Sequence, residues 1–163
     1  MLLVGCTNRP LISGDVRPGD QTWSLAGKLG VLAGDTRGTF TIDWQQHREQ
    51  FEINLLGLFG LGHVRVNGNL EGVMLNVRGQ EPVYADSPDA LLLATTGLDI
   101  PVTPLRYWVR GKPAPGRYKK HERGFSQMGW RVEYLSCDQG LPVRLRVTRP
   151  QVRLTMVVHQ WTN

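Results

Sequence analysis

The sequence has few of the residues and motifs from which catalytic, metal-binding or nucleotide-binding sites are built. Four histidines and two cysteines occur among 163 residues. No histidine has a second metal-type ligand two to five residues away in a recognisable zinc pattern. No G-x-S-x-G motif is present, and no glycine-rich loop ends in the lysine of a phosphate-binding loop. We therefore expect no catalytic residue, no metal and no cofactor.

Long hydrophobic runs are also missing, since no stretch approaches the roughly 20 apolar residues of a transmembrane helix. The hydrophobic content of 40% still suffices for the core of a single domain. The net charge of +5 suits anionic lipid, an acidic partner or nucleic acid, or simply a soluble, positively charged surface. The densest basic segment, Arg117–Arg123, lies in a predicted loop. Because no nucleic-acid-binding motif accompanies it, we expect no nucleic-acid partner.

The two cysteines lie in different settings. Cys6 ends the segment Leu3-Val4-Gly5-Cys6, which looks like a bacterial lipobox, although only five residues precede it. Either the chain start is truncated or miscalled, or the match is accidental. Proline and glycine in the following residues favour a flexible tether, so we predict a lipid anchor at Cys6 and a tether over residues 1–22. Cys137 ends a predicted strand and is interpreted as a small buried hydrophobe, while a disulfide stays open as the alternative.

Most of the remaining chain alternates apolar and polar residues, as half-buried strands do. The pattern is clearest in the segment 39–46, where Phe40, Ile42 and Trp44 share one face. Similar strands are predicted at 23–33, around Leu70, at 73–77 and from residue 129 to the end. Glycine-containing turns separate them, which predicts an antiparallel meander.

Two short helices are predicted to interrupt the meander. Ser87 is a suitable N-cap, Pro88 suits the first helical position, and Gly97 is a plausible end. The segment 105–111 favours a second short helix over a strand. Because both segments are apolar, we expect them to cover the concave face of a curved sheet.

One predicted hairpin, within Phe51–Val66, has an apolar tip. Gly57, Gly60 and Gly62 provide the backbone freedom of a turn, but Leu58, Phe59 and Leu61 lie between them. Each large apolar side chain left in water forgoes roughly 1.5–3 kcal/mol of burial. The tip therefore requires a cover or an apolar environment to enter.

Short motifs spread over residues 23–161 together resemble the LolB family of outer-membrane lipoproteins. Each motif is weak alone, but their order and spacing are specific. They are Trp23-Ser24-Leu25 with Gly27-Lys28-Leu29, Phe40 with Ile42-Asp43-Trp44-Gln45-Gln46, Tyr84-Ala85-Asp86, Thr96-Gly97 with Ile100-Pro101-Val102, Leu105 with Tyr107-Trp108, Gly129-Trp130 with Val132 and Tyr134, Leu141-Pro142 with Arg144-Leu145, and Trp161.

The resemblance implies a mainly β (α+β) fold, an unclosed antiparallel β-barrel whose short helices form a lid over an apolar cavity. It implies that residues 23–163 form a lipoprotein-binding domain. It also makes Leu58, Phe59 and Leu61 the membrane-insertion tip, with Phe59 at the position of the family's exposed apolar residue. The family commonly has Pro-Leu-Gly where this chain has Leu58-Phe59-Gly60. The acyl-chain cavity is then expected from Phe40, Ile42, Trp44, Phe51, Ile53, Leu55, Val64, Val66, Trp108 and Trp130.

The function that the resemblance implies is transfer without catalysis or nucleotide. A monomeric protein, anchored in the outer membrane of a Gram-negative bacterium and facing the periplasm, would receive lipoproteins from a LolA-like periplasmic carrier. It would hold their acyl chains and insert them into the inner leaflet of the outer membrane, whose lipid is its other partner. The alternatives are a β-barrel module that binds a small hydrophobic ligand, with the tip as its flap, and an enzyme acting on lipids or envelope glycans.

Overall fold

The computed structural model describes residues 22–57 and 62–163. These residues form an antiparallel sheet of eleven strands and two short helices. The elements in chain order are β1 (Thr22–Ala33), β2 (Thr36–His47), β3 (Gln50–Leu56), β4 (His63–Gly68), β5 (Val73–Val77), β6 (Val83–Ala85), α1 (Pro88–Thr96), α2 (Val102–Trp108), β7 (Lys119–His121), β8 (Gly124–Gln127), β9 (Trp130–Asp138), β10 (Leu141–Arg149) and β11 (Val152–Thr162).

The sheet is one continuous meander whose two ends do not pair with each other. Its strand order is β6-β5-β4-β3-β2-β1-β11-β10-β9-β8-β7. The first and last strands of the chain pair along their length in the middle of this order, whereas β6 and β7 are the free edges. The predicted unclosed antiparallel architecture, mainly β with two helices, is therefore confirmed.

Alternation along the strands puts the large apolar side chains on one face of the sheet. Phe40, Ile42 and Trp44 are all buried on the inward face of β2, as predicted. Gly38, two residues earlier on the same face, has no side chain, and a Cβ there would lie 2.6 Å from the ring of Phe40. The glycine thus leaves the space that the Phe40 ring occupies.

Both helices lie in the chain between the two free edge strands. The hydroxyl oxygen of Ser87 accepts a hydrogen bond from the amide of Ala90 at 3.1 Å, and Gly97 ends α1 in the left-handed conformation (φ 71°). The predicted caps of α1 are confirmed. The second helix begins at Val102, earlier than predicted, and residues 109–111 form a turn instead of continuing it. The two helices contact each other, and α1 also contacts β5 and β6.

The sheet departs from regular strands at two places, of which the first was predicted as a strand. The strand around Leu70 is wrong, because the backbone turns there: Asn69 accepts from the amide of Glu71 at 2.7 Å, and Leu70 is 81% exposed. The last strand is also irregular near its end. The pairing of β1 with β11 shifts between Ala26 and Gly27, which pair with Gln160 and Val158.

None of the helices in the described part of the chain combines the length and the apolar character needed to cross a membrane.

Candidate functional site

An apolar cavity lies between the inward face of the sheet and the helical segment. Its volume is about 40 Å³. All the residues around it are apolar, and they come from strands β1 to β4 and from residues 88–105. The lining residues are Leu29, Val31, Ile42, Trp44, Ile53, Leu55 and Val66 from the sheet, and Pro88, Leu92, Ile100, Val102 and Leu105 from the helical segment.

The structure places the predicted acyl-chain residues in three locations. Five of the ten line this cavity: Ile42, Trp44, Ile53, Leu55 and Val66. Four are buried in the surrounding core: Phe40, Val64, Trp108 and Trp130. Phe51 is half-buried and lines a separate, more polar depression at the end of the barrel where β1 begins.

Several cavity residues were not predicted as site residues. Leu29 and Val31 have the same two-residue spacing as the chosen side chains of β2, so the strand pattern could have identified them. The helical segment, residues 88–108, covers the cavity as a lid, and its cavity residues are harder to predict from the sequence. Leu92, Ile100 and Leu105 are spread over two helices and their link, and no single periodicity connects them.

The C-terminal end of α2 is held by buried hydrogen bonds to the sheet. The indole N–H of Trp108 donates to Oε1 of Gln127 at 2.9 Å. The side chain of Gln127 also accepts from the amide of Ala114 and donates to its carbonyl oxygen. The hydroxyl of Tyr134 donates to the carbonyl oxygen of Trp108 at 2.7 Å, and burial raises the pKa of Tyr134. This end of the lid is therefore fixed.

The other lid contacts to the sheet are ion pairs nearer the surface. Asp99, in the link between the helices, pairs with Arg149 of β10 at 2.8 Å. Arg106 of α2 pairs with Glu49 in the β2–β3 turn at 2.7 Å. Such partly exposed pairs typically contribute about 0–1 kcal/mol each. The lid is thus attached firmly at Trp108 and weakly elsewhere through its polar contacts.

The two helices are also linked to each other by one carboxylate. Oδ1 of Asp89, in the first turn of α1, accepts from both the amide and the hydroxyl of Thr103 at 2.7 Å. Because Thr103 lies at the start of α2, this contact joins the N-terminal ends of both helices. The two helices are accordingly bonded directly to each other.

The apolar hairpin tip is described only at its base. The amide of Gly57 donates to the carbonyl oxygen of Gly62 at 2.8 Å, which closes the base. Leu56, the last residue of β3, is 57% exposed and adds an apolar side chain next to the tip. The predicted insertion residues Leu58, Phe59 and Leu61 lie outside the described residues, as does the predicted lipid anchor Cys6.

Cys137 lies on β9 and is half-buried, so the predicted full burial of its side chain is wrong. The alternative, a disulfide, would need the other cysteine, Cys6, which lies outside the described residues.

Comparison with known proteins identifies the family. The family model described as "Outer membrane lipoprotein LolB" matches residues 21–161. The chain belongs to the LolB family. It is 35% identical over 150 residues to the outer-membrane lipoprotein LolB of Stutzerimonas stutzeri, covering 85% of this chain and 73% of that protein. It is 36% identical to that of Chromohalobacter salexigens, covering 85% of this chain and 70% of the relative.

A third relative matches over a longer alignment. The LolB of Ectopseudomonas mendocina is 31% identical over an alignment of 185 residues, covering 98% of this chain and 91% of that protein. The LolB family consists of non-catalytic outer-membrane lipoproteins that function in lipoprotein localisation. The predicted family, its outer-membrane location and its lack of enzymatic activity are therefore confirmed.

Proposed function

We propose that this protein receives lipoproteins from a LolA-like periplasmic carrier, holds their acyl chains beneath the helical lid and inserts them into the inner leaflet of the outer membrane. The observation that carries the proposal is the wholly apolar cavity between strands β1 to β4 and the two helices. Membership of the LolB family supports the cargo, because the family functions in lipoprotein localisation.

The size of the cavity determines what the lid must do. A cavity needs about 10–15 Å³ to hold a single water molecule. The 40 Å³ present is far too small for a long acyl chain. The apolar side chains of the lid, including Leu92, Ile100 and Leu105, fill the space that cargo would occupy. Binding therefore requires these side chains to move away from the sheet.

The contacts of the lid determine which part moves. The buried bonds of Trp108 with Gln127 and Tyr134 hold the C-terminal end of α2, whereas the pair of Asp99 with Arg149 holds the link. In the proposed opening the Asp99–Arg149 pair breaks, and α1 with its link moves about Trp108. The bond of Asp89 to Thr103 keeps the helices together during this movement.

An exchange of apolar contacts makes transfer feasible without nucleotide. Each CH₂ group that leaves an apolar phase for water costs about 0.8 kcal/mol, so a lipoprotein cannot be released into water. Here the acyl chain takes over the sheet contacts that the lid leucines give up. The chains then pass between environments of similar polarity: the carrier, the cavity and the bilayer.

Two further features bring the cavity to the membrane in this proposal. Leu58, Phe59 and Leu61 enter the bilayer interface beside Leu56, and a lipid on Cys6 tethers the chain. A short apolar tip alone gives weak, reversible membrane binding, whereas two signals give stable residence.

Transfer of a purified lipoprotein tests the cavity. The carrier is loaded with the triacylated lipoprotein, mixed with this protein without detergent, and the complexes are separated by affinity capture. We expect the acylated lipoprotein to move to this protein and an unacylated version to show no capture. Equal capture of both forms would contradict the cavity proposal. Capture of a single-chain fatty acid together with exclusion of the lipoprotein would favour the small-ligand alternative.

The anchor needs a separate test, because one sulfur atom cannot carry a lipid and form a disulfide. The mature protein is isolated from a Gram-negative host, and its N-terminal peptide is analysed by mass spectrometry. We expect an acylated Cys6 at the N-terminus. An unmodified Met1, or a peptide in which Cys6 is joined to Cys137, would contradict the anchor.

A further inference from the structure

A shallow depression on the outer face of the sheet lies between two arginines. The register places Arg37 of β2 and Arg153 of β11 on either side of Leu32 of β1, in one row across three strands. In the next row on the same face, Thr39 and Thr155 flank Gly30. All six residues line the same depression.

Gly30 makes this depression, because it has no side chain at the centre of the group. A Cβ at Gly30 would lie 3.6 Å from the nearest atom, the carbonyl oxygen of Thr155, so nothing in the backbone requires glycine there. Neighbouring strands are about 4.8 Å apart, which separates the Cα atoms of the two arginines by about 10 Å. Two arginine and two threonine side chains thus surround an open space over the backbone of Gly30, which we call the Gly30 floor.

The two arginines have no counter-charge among the described residues. Neither Arg37 nor Arg153 forms an ion pair or a side-chain hydrogen bond there, whereas Arg149 pairs with Asp99 and Arg131 with Glu133. In the row of Gly30, Arg146 of β10 lies opposite Thr155 and adds a third arginine, with Glu133 of β9 opposite Arg146. Lys28 lies in the next row and donates to the hydroxyl of Thr41 at 2.7 Å. The group is therefore a cationic site with hydroxyl donors.

The position of the depression relates it to the apolar hairpin. Where β3 ends, Leu56 pairs with Thr41 of β2. Arg37 lies four residues before Thr41 on β2, on the side of this pair toward which the chain runs from Leu56 into Gly57 and the tip. The depression and the exposed side chain of Leu56 are thus at the same end of the barrel.

We propose that the depression over Gly30 binds the phosphate of an anionic phospholipid headgroup, with Arg37 and Arg153 as its charged ligands and Thr39 and Thr155 as hydroxyl donors. Guanidinium groups match phosphate oxygens with two parallel hydrogen bonds each. This inference rests on the proposed function only in that the tip end faces the membrane. The phosphate contact fixes the rotation of the barrel on the bilayer while the tip enters it.

The adjacent apolar side chain favours a lipid over an acidic protein as the source of the phosphate-like charge. A headgroup site beside exposed Leu56 places charge at the level of the phosphates and apolar atoms deeper, as in a bilayer interface. An acidic carrier surface would make no specific contact with the open space over Gly30. Binding to the carrier is accordingly an outcome that the experiment must separate.

Vesicle co-sedimentation of the full chain tests the site. The probes are vesicles of phosphatidylglycerol with phosphatidylethanolamine, and neutral vesicles of phosphatidylcholine. Each basic residue near an anionic surface strengthens binding about fivefold at low salt. We expect the double variant Arg37→Gln/Arg153→Gln to lose about 25-fold on anionic vesicles and to match the wild type on neutral ones. Lys119→Gln/Lys120→Gln, on edge strand β7, removes the same charge and serves as the control.

A variant without any charge change separates a built site from general attraction. Gly30→Val occupies the floor with a side chain that suits a strand. We expect it to weaken binding to anionic vesicles while leaving neutral vesicles unaffected. Inorganic phosphate at matched ionic strength should displace the wild-type protein from anionic vesicles only slightly, because vesicle binding also includes entry of the apolar tip into the bilayer.

Three results would overturn the inference. One is an equal loss in the arginine pair and the lysine control, and another is full anionic binding by Gly30→Val. The third is a loss confined to the complex with the carrier. Failure here is distinguishable from failure of the proposed function, because uptake of acylated lipoprotein from the carrier is measured without vesicles and should be normal in all these variants.

Discussion

The indole N–H of Trp108 donates a 2.9 Å hydrogen bond to Oε1 of Gln127, and both side chains are buried. Gln127 bonds at the same time to the amide and the carbonyl oxygen of Ala114. One side chain of β8 therefore fixes the end of α2 and the segment that follows it. This junction is the pivot on which the proposed opening of the lid depends.

Replacement of Gln127 by leucine should destabilise the fold by at least about 3 kcal/mol. The change leaves three buried polar groups without partners, on Trp108 and Ala114, and each such group typically costs about 1–3 kcal/mol. Urea unfolding measures the free energy. Gln160→Leu, an exposed position on β11, is the control and should stay within about 0.5 kcal/mol. Equal stability of the two variants would show that the junction contributes little.

Breaking the ion pair between Asp99 and Arg149 should change the stability little but should change the rate at which an acyl chain enters. Asp99→Asn should cost less than about 1 kcal/mol of stability, because the pair is partly exposed. It should nevertheless accelerate uptake of a fluorescent acyl probe, measured by stopped-flow. Glu52→Gln removes a comparable partner, from Arg65 on the outer face of β3 and β4, and should leave the rate unchanged. An unchanged rate in Asp99→Asn would argue against opening at the link.

The cavity beneath the lid should make the same enlargement, valine to leucine, less costly at Val66 than at Val147. Val66 lines the cavity, and the extra CH₂ of Val66→Leu can enter it, so stability should change by less than about 1 kcal/mol in either direction. Val147 is buried but does not line the cavity, and Val147→Leu should cost about 1–3 kcal/mol through overpacking. Thermal or urea unfolding measures both. A larger cost at Val66 than at Val147 would contradict the cavity.

Tyr134 should make the protein sensitive to alkali. Burial raises its pKa above the usual value of about 10, so the unfolded chain loses this proton first. Its contribution is fully present below pH 10 and is lost as the pH rises further, by at most about 1.4 kcal/mol per pH unit. Tyr134→Phe should cost about 1 kcal/mol at pH 7 through the lost bond to Trp108, and this deficit should shrink above pH 10.

Unfolding of the Tyr134 variant between pH 8 and pH 11.5 measures this effect, with the exposed Tyr118 as the control position. Tyr118→Phe should keep the alkaline slope of the wild type. A constant difference between Tyr134→Phe and the wild type across this range would contradict the assignment.

The local pattern of the sequence was sufficient for most of the sheet and for α1. Two-residue alternation on β2 and the caps Ser87 and Gly97 are strong signals because each depends only on neighbouring residues. Leu70 was misassigned because an isolated leucine between glycines has no periodicity, and the bond from the amide of Glu71 to Asn69 sets the turn.

The site was less accessible from the sequence, because it depends on contacts between distant segments. That Ile42 and Val66 share a cavity with Leu92 and Leu105 follows from how the helices lie on the sheet. The pivot is harder still, since nothing near Gln127 in the chain indicates that its amide serves Trp108. Such pairings are determined by tertiary packing, which a single sequence does not reveal.

Two-step transfer of a triacylated lipoprotein by the Phe59→Glu variant separates uptake of cargo from its insertion into the membrane. Lipoprotein is first moved from the carrier to this protein, and its incorporation into liposomes is then measured by flotation, with Phe59→Leu as the control. We expect normal uptake by both variants, with insertion retained in Phe59→Leu and lost in Phe59→Glu, because a charged tip cannot enter the bilayer interface. Normal insertion by Phe59→Glu would contradict delivery of lipoproteins through the apolar hairpin tip.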